Sequence, residues 1–422
     1  MSDAPELRND CFALPPGVHW TPVETALSAL RAGLAPVVGA EVVPLGEAVG
    51  RILAAPVIAL RANPPYANAA VDGYGFAFDG LPAEAEAVTL PLVEGRAAAG
   101  APWPHAVPRG HAIRILTGAM LPDGVDTIVL QEDVTAEHGS VRFRAGLKPR
   151  ANTRRAGEDV AAGALALPEG HRMRPQDLAL AAALGVDRLS VHRRLRVAVL
   201  STGDELATPG EGTPEPHQMY DANRPMLIAL IRQWGMEPVD LGRAPDKASA
   251  VRARLEQGIA RADAVLTTGG ASAGDEDHVS AVLRAAGVLE TWRIAVKPGR
   301  PLALANWNGT PVFGLPGNPV AAFVCALIFA RPALSVLSGA GWKQPLAVTL
   351  PAAFSKRKKR GRREYLRARP TPDGAVEVFA SEGSGRISGL SWAEGLVELP
   401  DEAAEIVPGT PVRYLPFAGF GL

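Results

Sequence analysis

Three segments in the second half of the chain share one arrangement of apolar and polar positions. Residues 196–206 (RVAVLSTGDEL), 262–277 (ADAVLTTGGASAGDED) and 311–320 (PVFGLPGNPV) each begin with a short, β-branched apolar run. Each passes at once into a loop of Gly, Ser, Thr or Asn and then into helical spacing. An apolar run without polar alternation predicts a strand buried on both faces of a parallel sheet, followed by a crossover helix. Ligands of open α/β sheets bind outside the carboxyl ends of the strands. The three loops are therefore expected to converge on one site.

The same alternation fills in the surrounding elements. DANRPMLIALIRQWG has helical spacing ended by Gly235, EPVDLG reads as a strand, and ASAVRARLEQGIARA as an amphipathic helix. DHVSAVLRAAG is the next helix, TWRIAVKPGRPLAL and TPVFGLPG are strands, and NPVAAFVCALIFARPAL is a buried helix. Upstream, residues 21–32 (TPVETALSALRA) predict an amphipathic helix with Thr21 as N-cap, Pro22 at the first helical position and Glu24 completing a capping box. From about 80 to 149, short strand-like runs between Gly, Pro and Asp turns predict a small all-β module. The helix expected at 173–185 (MRPQDLALAAALG) resumes the α-rich character of the N-terminus, so the β-module reads as an insertion. The expected fold class is α/β plus β. It comprises a doubly wound, mostly parallel α/β domain (191–343), an inserted small β-domain (61–149), an α-rich split domain (18–60 and 150–190) and a C-terminal β-barrel-like domain (344–422).

Composition narrows the function classes. The 422 residues carry a net charge of −1, which gives no basic field for nucleic acid, and 5% aromatics, too few for a base-stacking platform. With only Cys11 and Cys325, a disulfide framework is not expected and a reducing compartment fits. The opening MSDAPELRNDCFALPP carries acids and no apolar core of a secretory signal. The apolar stretch 320–330 is shorter than a bilayer span and stops at Arg331. A cytoplasmic protein without membrane segments is expected.

Residues 267–270 and 314–318 suit a close approach of backbone to a phosphate or other oxyanion, because glycine removes the side chain and helix-start N–H groups attract negative charge. Either loop alone reads equally well as a tight βα turn. Neither a G-x-x-x-x-G-K-[ST] loop nor a strand-following G-x-G-x-x-G occurs, so P-loop chemistry and dinucleotide redox are not supported. Asp204 and Glu205 follow one strand, and Asp275, Glu276 and Asp277 another. Such carboxylates beside a phosphate loop suit Mg²⁺, or else serve as helix caps, a role Asp277 could fill alone. No Cys or His cluster has zinc spacing. Lys297 and Arg300 in KPGRP form an oxyanion clamp or a solvated turn. The run KRKKRGRR (356–363) reads as a solvated loop or as arginines for a tetrahedral anion. In the first half, Asp72-Gly73, Thr117-Gly118, Gln131-Glu132 and the Arg154–Asp159 charge cluster are each a site or ordinary turn chemistry.

Together, PPYANAAVDGYG, RILTGAMLPDGVDTIVLQE, RRAGEDV, STGDEL, DANRPML, TTGGASAGDEDHV, KPGRP and GLPGNPV resemble, in order, the molybdopterin molybdenumtransferase family of MoeA and gephyrin E-domain proteins. The likeness runs from about Val18 to the end and is specific as an ordered set, not motif by motif. It implies insertion of molybdate into adenylylated molybdopterin with Mg²⁺, releasing AMP and the molybdenum cofactor. It implies four domains and an elongated homodimer whose sites each combine the α/β domain of one subunit with the β-module of the other. It implies transient contact with the adenylyltransferase and with recipient molybdoenzymes, and no nucleic acid or membrane partner.

By the same resemblance, Asp72, Thr117, Glu205, Asp277 and Lys297 are catalytic positions, and Asp159, Glu205 and Asp277 handle the metal. Substrate contacts fall on Ser201, Thr202, Gly203, Thr268, Gly269, Gly270, Arg300, Gly314, Pro316, Gly317 and Asn318, with Ser384 and one of Arg362 or Arg363. Four positions depart from the family pattern. Ala67 stands where an acid is common, Arg300 replaces a lysine, Ala321 a serine, and Glu394 an asparagine. The competing expectations are a molybdopterin-binding paralogue without metal insertion and an adenylyltransferase-type protein. The latter would lack the flanking β-domains, DGYG and KPGRP.

Overall fold

The computed structural model describes residues 20–82, 85–269, 278–286, 289–299 and 301–422. It divides into two compact units: the segment up to Glu41 with His192–Leu422, and Val42–Val191. Helix α1 (Val23–Gly33) buries Val23, Ala26 and Leu30, the i, i+3, i+7 stripe its sequence set out, in the core of the first unit. It starts later than expected. Pro22 is extended (φ −56°, ψ 145°) and is the N-cap, with no side-chain cap bond. Thr21 instead forms a bridge with Ile294, its carbonyl accepting from the Ala295 N–H at 2.8 Å.

The Val42–Val191 unit holds a six-stranded sheet of β1 (Gly73–Phe76), β2 (Ala87–Ala97), β3 (Ala112–Ile115), β4 (Thr127–Leu130), β5 (Val134–Glu137) and β6 (Ser140–Arg144). The spatial order is β4-β1-β3-β2-β6-β5, antiparallel except for the β2–β3 pair. Phe76 and Phe143 stack in its core at 5.2 Å. A second core joins chain on both sides of the sheet: Val43, Leu53 and Val57 pack with Met173, Leu184 and Val191. Helix α2 (Pro175–Ala183) is capped by Asp177, which is buried and accepts from the Arg174 backbone N–H at 2.8 Å and its guanidinium at 3.0 Å. His171 approaches the same carboxylate at 2.7 Å.

The larger unit is built on β7 (Arg196–Thr202), α3 (Asn223–Gln233), β8 (Glu237–Ala244), α4 (Ala248–Arg261), β9 (Ala264–Thr268), α5 (His278–Ala285), β10 (Leu289–Arg293), β11 (Val296–Lys297), β12 (Pro301–Trp307), β13 (Thr310–Leu315), α6 (Pro319–Cys325) and α7 (Arg331–Leu337). The sheet order is β8-β7-β9-β13-β12-β10. Along β7, Val197 and Val199 face α3 and α6, while Ala198 and Leu200 face α4 and α5. Period-two alternation into two apolar layers is what winds helices onto both faces.

Two readings need correction. The parallel character covers β8, β7, β9 and β13 only, because β12 runs antiparallel to both β13 and β10. Asn308 and Gly309, with φ of 53° and 86°, make the tight turn that folds β12 back onto β13. The stretch TWRIAVKPGRPLAL is not one strand but parts of three. In addition, helical backbone continues without a break from Pro319 to Leu337 through a π turn at Ala326–Ala330. That helix is long and apolar enough to cross a membrane, yet 89% of its apolar window is buried inside the unit, so its packing is that of a core helix.

The C-terminal sheet is mixed and draws on the α/β segment. Its strands β14 (Val348–Pro351), β15 (Arg363–Pro370), β16 (Gly395–Leu399) and β17 (Pro411–Pro416) lie in the order β11-β15-β16-β17-β14. Only the β11–β15 pair is parallel, setting Val296 opposite Arg363 and Lys297 opposite Glu364.

Candidate active site

Asp221 is buried and paired with Arg224 at 3.2 Å, which fixes the start of α3. Asn223, two residues on, gives both hydrogens of one nitrogen to the neighbouring loops. Its Nδ2 donates to Thr268 Oγ1 at 2.8 Å and to the Gly317 carbonyl at 2.6 Å. Thr268 Oγ1 in turn donates to the Pro316 carbonyl at 3.1 Å. One side chain thus ties the carboxyl end of β9 to the loop after β13.

Two glycines allow the close approach. Gly269 has φ +87°, and a Cβ there would lie 2.5 Å from the Thr202 carbonyl oxygen. Gly203 has φ +145°, and a Cβ would meet the Glu205 carboxylate, which folds back over it. Gly317 stands next to Gly269, its ideal Cβ 3.6 Å from the Gly269 Cα. Four polar atoms at these strand ends, Ser201 Oγ, Thr202 Oγ1, Thr267 Oγ1 and Asn223 Oδ1, are buried without a hydrogen-bond partner. Native interiors leave few such groups, so four at converging loops suit a polar ligand.

The KPG turn forms a second wall. Gly299 has φ +112° and sits over Cys325, Ala321 and Pro316. Ala321, where a serine was the expected type, is therefore a packing position beneath the turn, and burial pushes the Cys325 thiol up to about 12. Lys297 Nζ lies 2.6 Å from Glu382 and 3.5 Å from Glu364. Lys356 Nζ lies 3.1 Å from Glu364 and also bonds Glu382. Burial would raise the Glu382 carboxyl, but Lys297 and Lys356 outweigh it and hold it below the usual carboxylate range.

The remaining predicted residues divide by environment. Arg363 is surrounded by Glu24, Glu398 and Asp401 at 3.4, 3.4 and 3.2 Å, so its charge is satisfied by the protein, and Arg362 is the other arginine of the pair. Ser384 contributes its carbonyl, which accepts from the Val320 N–H at the start of α6 at 3.1 Å. Asn318 is the N-cap of α6. Gly314 lies inside β13 between Thr267 and Ala303, rather than in the loop. Asp204 and Asp246 each accept at a carboxylate oxygen from the other's backbone N–H, and both Asp204 and Glu205 are exposed. Gly270, Asp277 and Arg300 lie outside the described residues.

In the Val42–Val191 unit, Asp72 Oδ1 accepts from both the backbone N–H and the hydroxyl of Thr117 at 2.7 Å. Those two bonds lower the Asp72 pKa. Arg114 lies over the Tyr74 ring at 5.0 Å and bonds Gln131, so DGYG, RILTG and Gln131-Glu132 come together. Asp159 accepts from Asn63 Nδ2 at 2.8 Å. Among the described residues, no three Asp, Glu, His or Cys side chains gather as a metal-ligand group.

Sequence reasoning missed Asn223, Lys356, Glu364 and Glu382. Asn223 was legible as a polar residue opening an apolar helix. Lys356 was hidden in a charged run that reads as solvated.

Comparison with known proteins gives the class first. Residues 198–336 match the family model described as a probable molybdopterin binding domain. Residues 21–185 match the MoeA N-terminal region (domains I and II), and 349–417 the MoeA C-terminal region (domain IV). The molybdopterin molybdenumtransferase of Haemophilus influenzae is 35% identical over 383 residues, covering 89% of this chain and 94% of the relative. Molybdopterin molybdenumtransferase 2 of Mycobacterium tuberculosis is 35% identical, covering 88% and 93%. A crystal structure of the molybdopterin biosynthesis MoeA protein from Pyrococcus horikoshii superposes with a TM-score of 0.82 at 28% identity, over 94% of this chain and all of that one. The fold and its loop site define a molybdopterin-binding protein. The chain belongs to the MoeA family of molybdopterin molybdenumtransferases.

Proposed function

We propose that this chain inserts molybdate into adenylylated molybdopterin, releasing AMP and forming the molybdenum cofactor. The observation that carries the reading is the Asn223 tie, which draws Thr268 and Gly317 together beside Thr202, among buried polar atoms without a hydrogen-bond partner. The glycine-lined loops admit a pterin and its phosphates, and Lys297 with Lys356 supplies positive charge for the molybdate oxyanion. Water or a molybdate oxygen attacks the pterin-side phosphorus of the phosphoanhydride, its oxygen stays on that phosphorus, and AMP leaves with the bridging oxygen.

Glu205, exposed at the loop edge, fits Mg²⁺ held by one carboxylate together with substrate phosphate. Bound there, the ion would neutralise the phosphoanhydride. Asp72 and Thr117 act as a preformed pair, with the carboxylate kept ionised by the threonine. Arg363 already has three carboxylates, so its guanidinium is held by the protein. We further infer a cytoplasmic homodimer and domains at 61–149, 191–343 and 344–422, with 42–60 and 150–190 as the split domain and helix α1 packed in the larger unit.

The test is AMP release from adenylylated molybdopterin by the purified protein, with and without molybdate and Mg²⁺. Release that requires both, with molybdenum recovered on the pterin, is expected. Tight pterin binding without release would leave a carrier. Sedimentation of the same preparation checks the dimer.

A further inference from the structure

Four charged side chains meet where β11 joins the C-terminal sheet, and they are not equivalent. Glu364 is set opposite Lys297 by the β11–β15 register, and its side chain is only 9% exposed. Lys356 is 12% exposed and Lys297 25%. Glu382 is 45% exposed and sits on a loop, not a strand. It bonds both ammonium groups, with Oε2 toward Lys297 and Oε1 toward Lys356. With Glu382 in place, two cations and two carboxylates sum to zero. With its side chain turned out, Lys297, Lys356 and Glu364 leave one positive charge, presented by two ammonium groups.

The loop backbone is held independently of that carboxylate. Arg367 is buried and donates to the carbonyls of Ser381, Gly383 and Arg386, while its guanidinium lies over Phe379 at 4.9 Å. The carbonyls on both sides of Glu382 are therefore pinned. Rotating its side chain outward breaks two ion pairs whose carboxylate is already 45% exposed, and leaves the main chain in place. A competing anion at the same two ammonium groups can replace them.

We propose that Glu382 is a displaceable internal anion. Its carboxylate occupies the Lys297–Lys356 pair until a tetrahedral dianion takes its place, and it thereby sets the oxyanion concentration at which the site fills. A dianion offers two oxygens and two charges to two ammonium groups, whereas chloride or a monocarboxylate gains nothing over Glu382. Lys356 is then an oxyanion contact in its own right. The inference rests on the reading of Lys297 as facing the oxyanion.

Equilibrium dialysis of the full-length protein against molybdate, without pterin, tests it separately from AMP release. E382A and E382Q are expected to bind molybdate about five- to tenfold more tightly than the unaltered chain. K356A introduced into E382A is expected to remove the gain, and the KM for molybdate should fall with kcat not increased. E382Q keeps the side chain's size, so it gives the answer even if E382A disturbs the loop. Unchanged or weaker binding by E382Q, or no molybdate bound by any version, overturns the proposal. Tighter binding by E382Q in a protein that releases no AMP would leave the gate standing and remove the transferase reading.

Discussion

At the scale of residues, Asn223 has the most to lose. Removing its amide takes the donor from the Gly317 carbonyl and leaves the Thr268 hydroxyl only its bond to Pro316, at a cost of about 1–3 kcal/mol. N223A is therefore expected to lower the melting temperature measurably and to reduce AMP release by well over the loss in folded protein. Wild-type turnover in N223A would separate the tie from the chemistry. Asp177 provides a pH test. Arg174, and then His171, hold its carboxyl well below the usual range, against the opposing effect of burial. A depressed folded-state value means a stabilisation fully present above the ordinary carboxylate pKa of about 4 and lost as pH falls below it. D177N should thus cost about 2 kcal/mol at pH 7, and visibly less at pH 3, in parallel thermal melts. Cys325, with its thiol pushed up to about 12, should react with a thiol reagent in a C11S variant only on unfolding.

At the scale of elements, the loops depend on glycine where backbone meets backbone. G269A combines φ +87° with a Cβ 2.5 Å from the Thr202 carbonyl, and no flexible side chain is there to move aside. It should destabilise by more than about 2 kcal/mol and abolish pterin binding in a fluorescence titration. The strands carrying these loops were legible because β7, β9 and β13 are apolar on both faces, a pattern a half-exposed strand does not produce. The Asp72–Thr117 pair fell on two turn dipeptides, Asp72-Gly73 in a turn-rich stretch and Thr117-Gly118 at the end of a strand-like run. Other features were hidden for physical reasons. The Asn308-Gly309 turn lay between two runs read only as strands, with nothing in either run to set their relative direction. KRKKRGRR read as a solvated loop or as arginines for an anion, yet its lysines Lys356 and Lys358 are largely buried. Lys358 donates to the carbonyls of Lys359 and Glu402 at 2.9 Å each, contacts only the folded chain supplies.

At the scale of the larger unit, the chain's last turn closes the core. Phe420 is fully buried, Arg331 lies over its ring at 5.6 Å, and its carbonyl accepts from Trp234 Nε1 at 3.1 Å. F420A should cost about 3–5 kcal/mol and red-shift the Trp234 contribution to fluorescence in the folded state. A null effect on both would show that the C-terminal turn is decorative. The two-residue strand β11 has a different consequence. The C-terminal sheet takes its edge from the same peptide that carries Lys297, so this module does not own all of its own backbone bonds. A gene fusion or recombination that exchanged residues 344–422 between relatives would have to inherit the recipient's KPGRP register along with its chemistry. Crossovers in this lineage should therefore survive upstream of Val296 far more often than just after it.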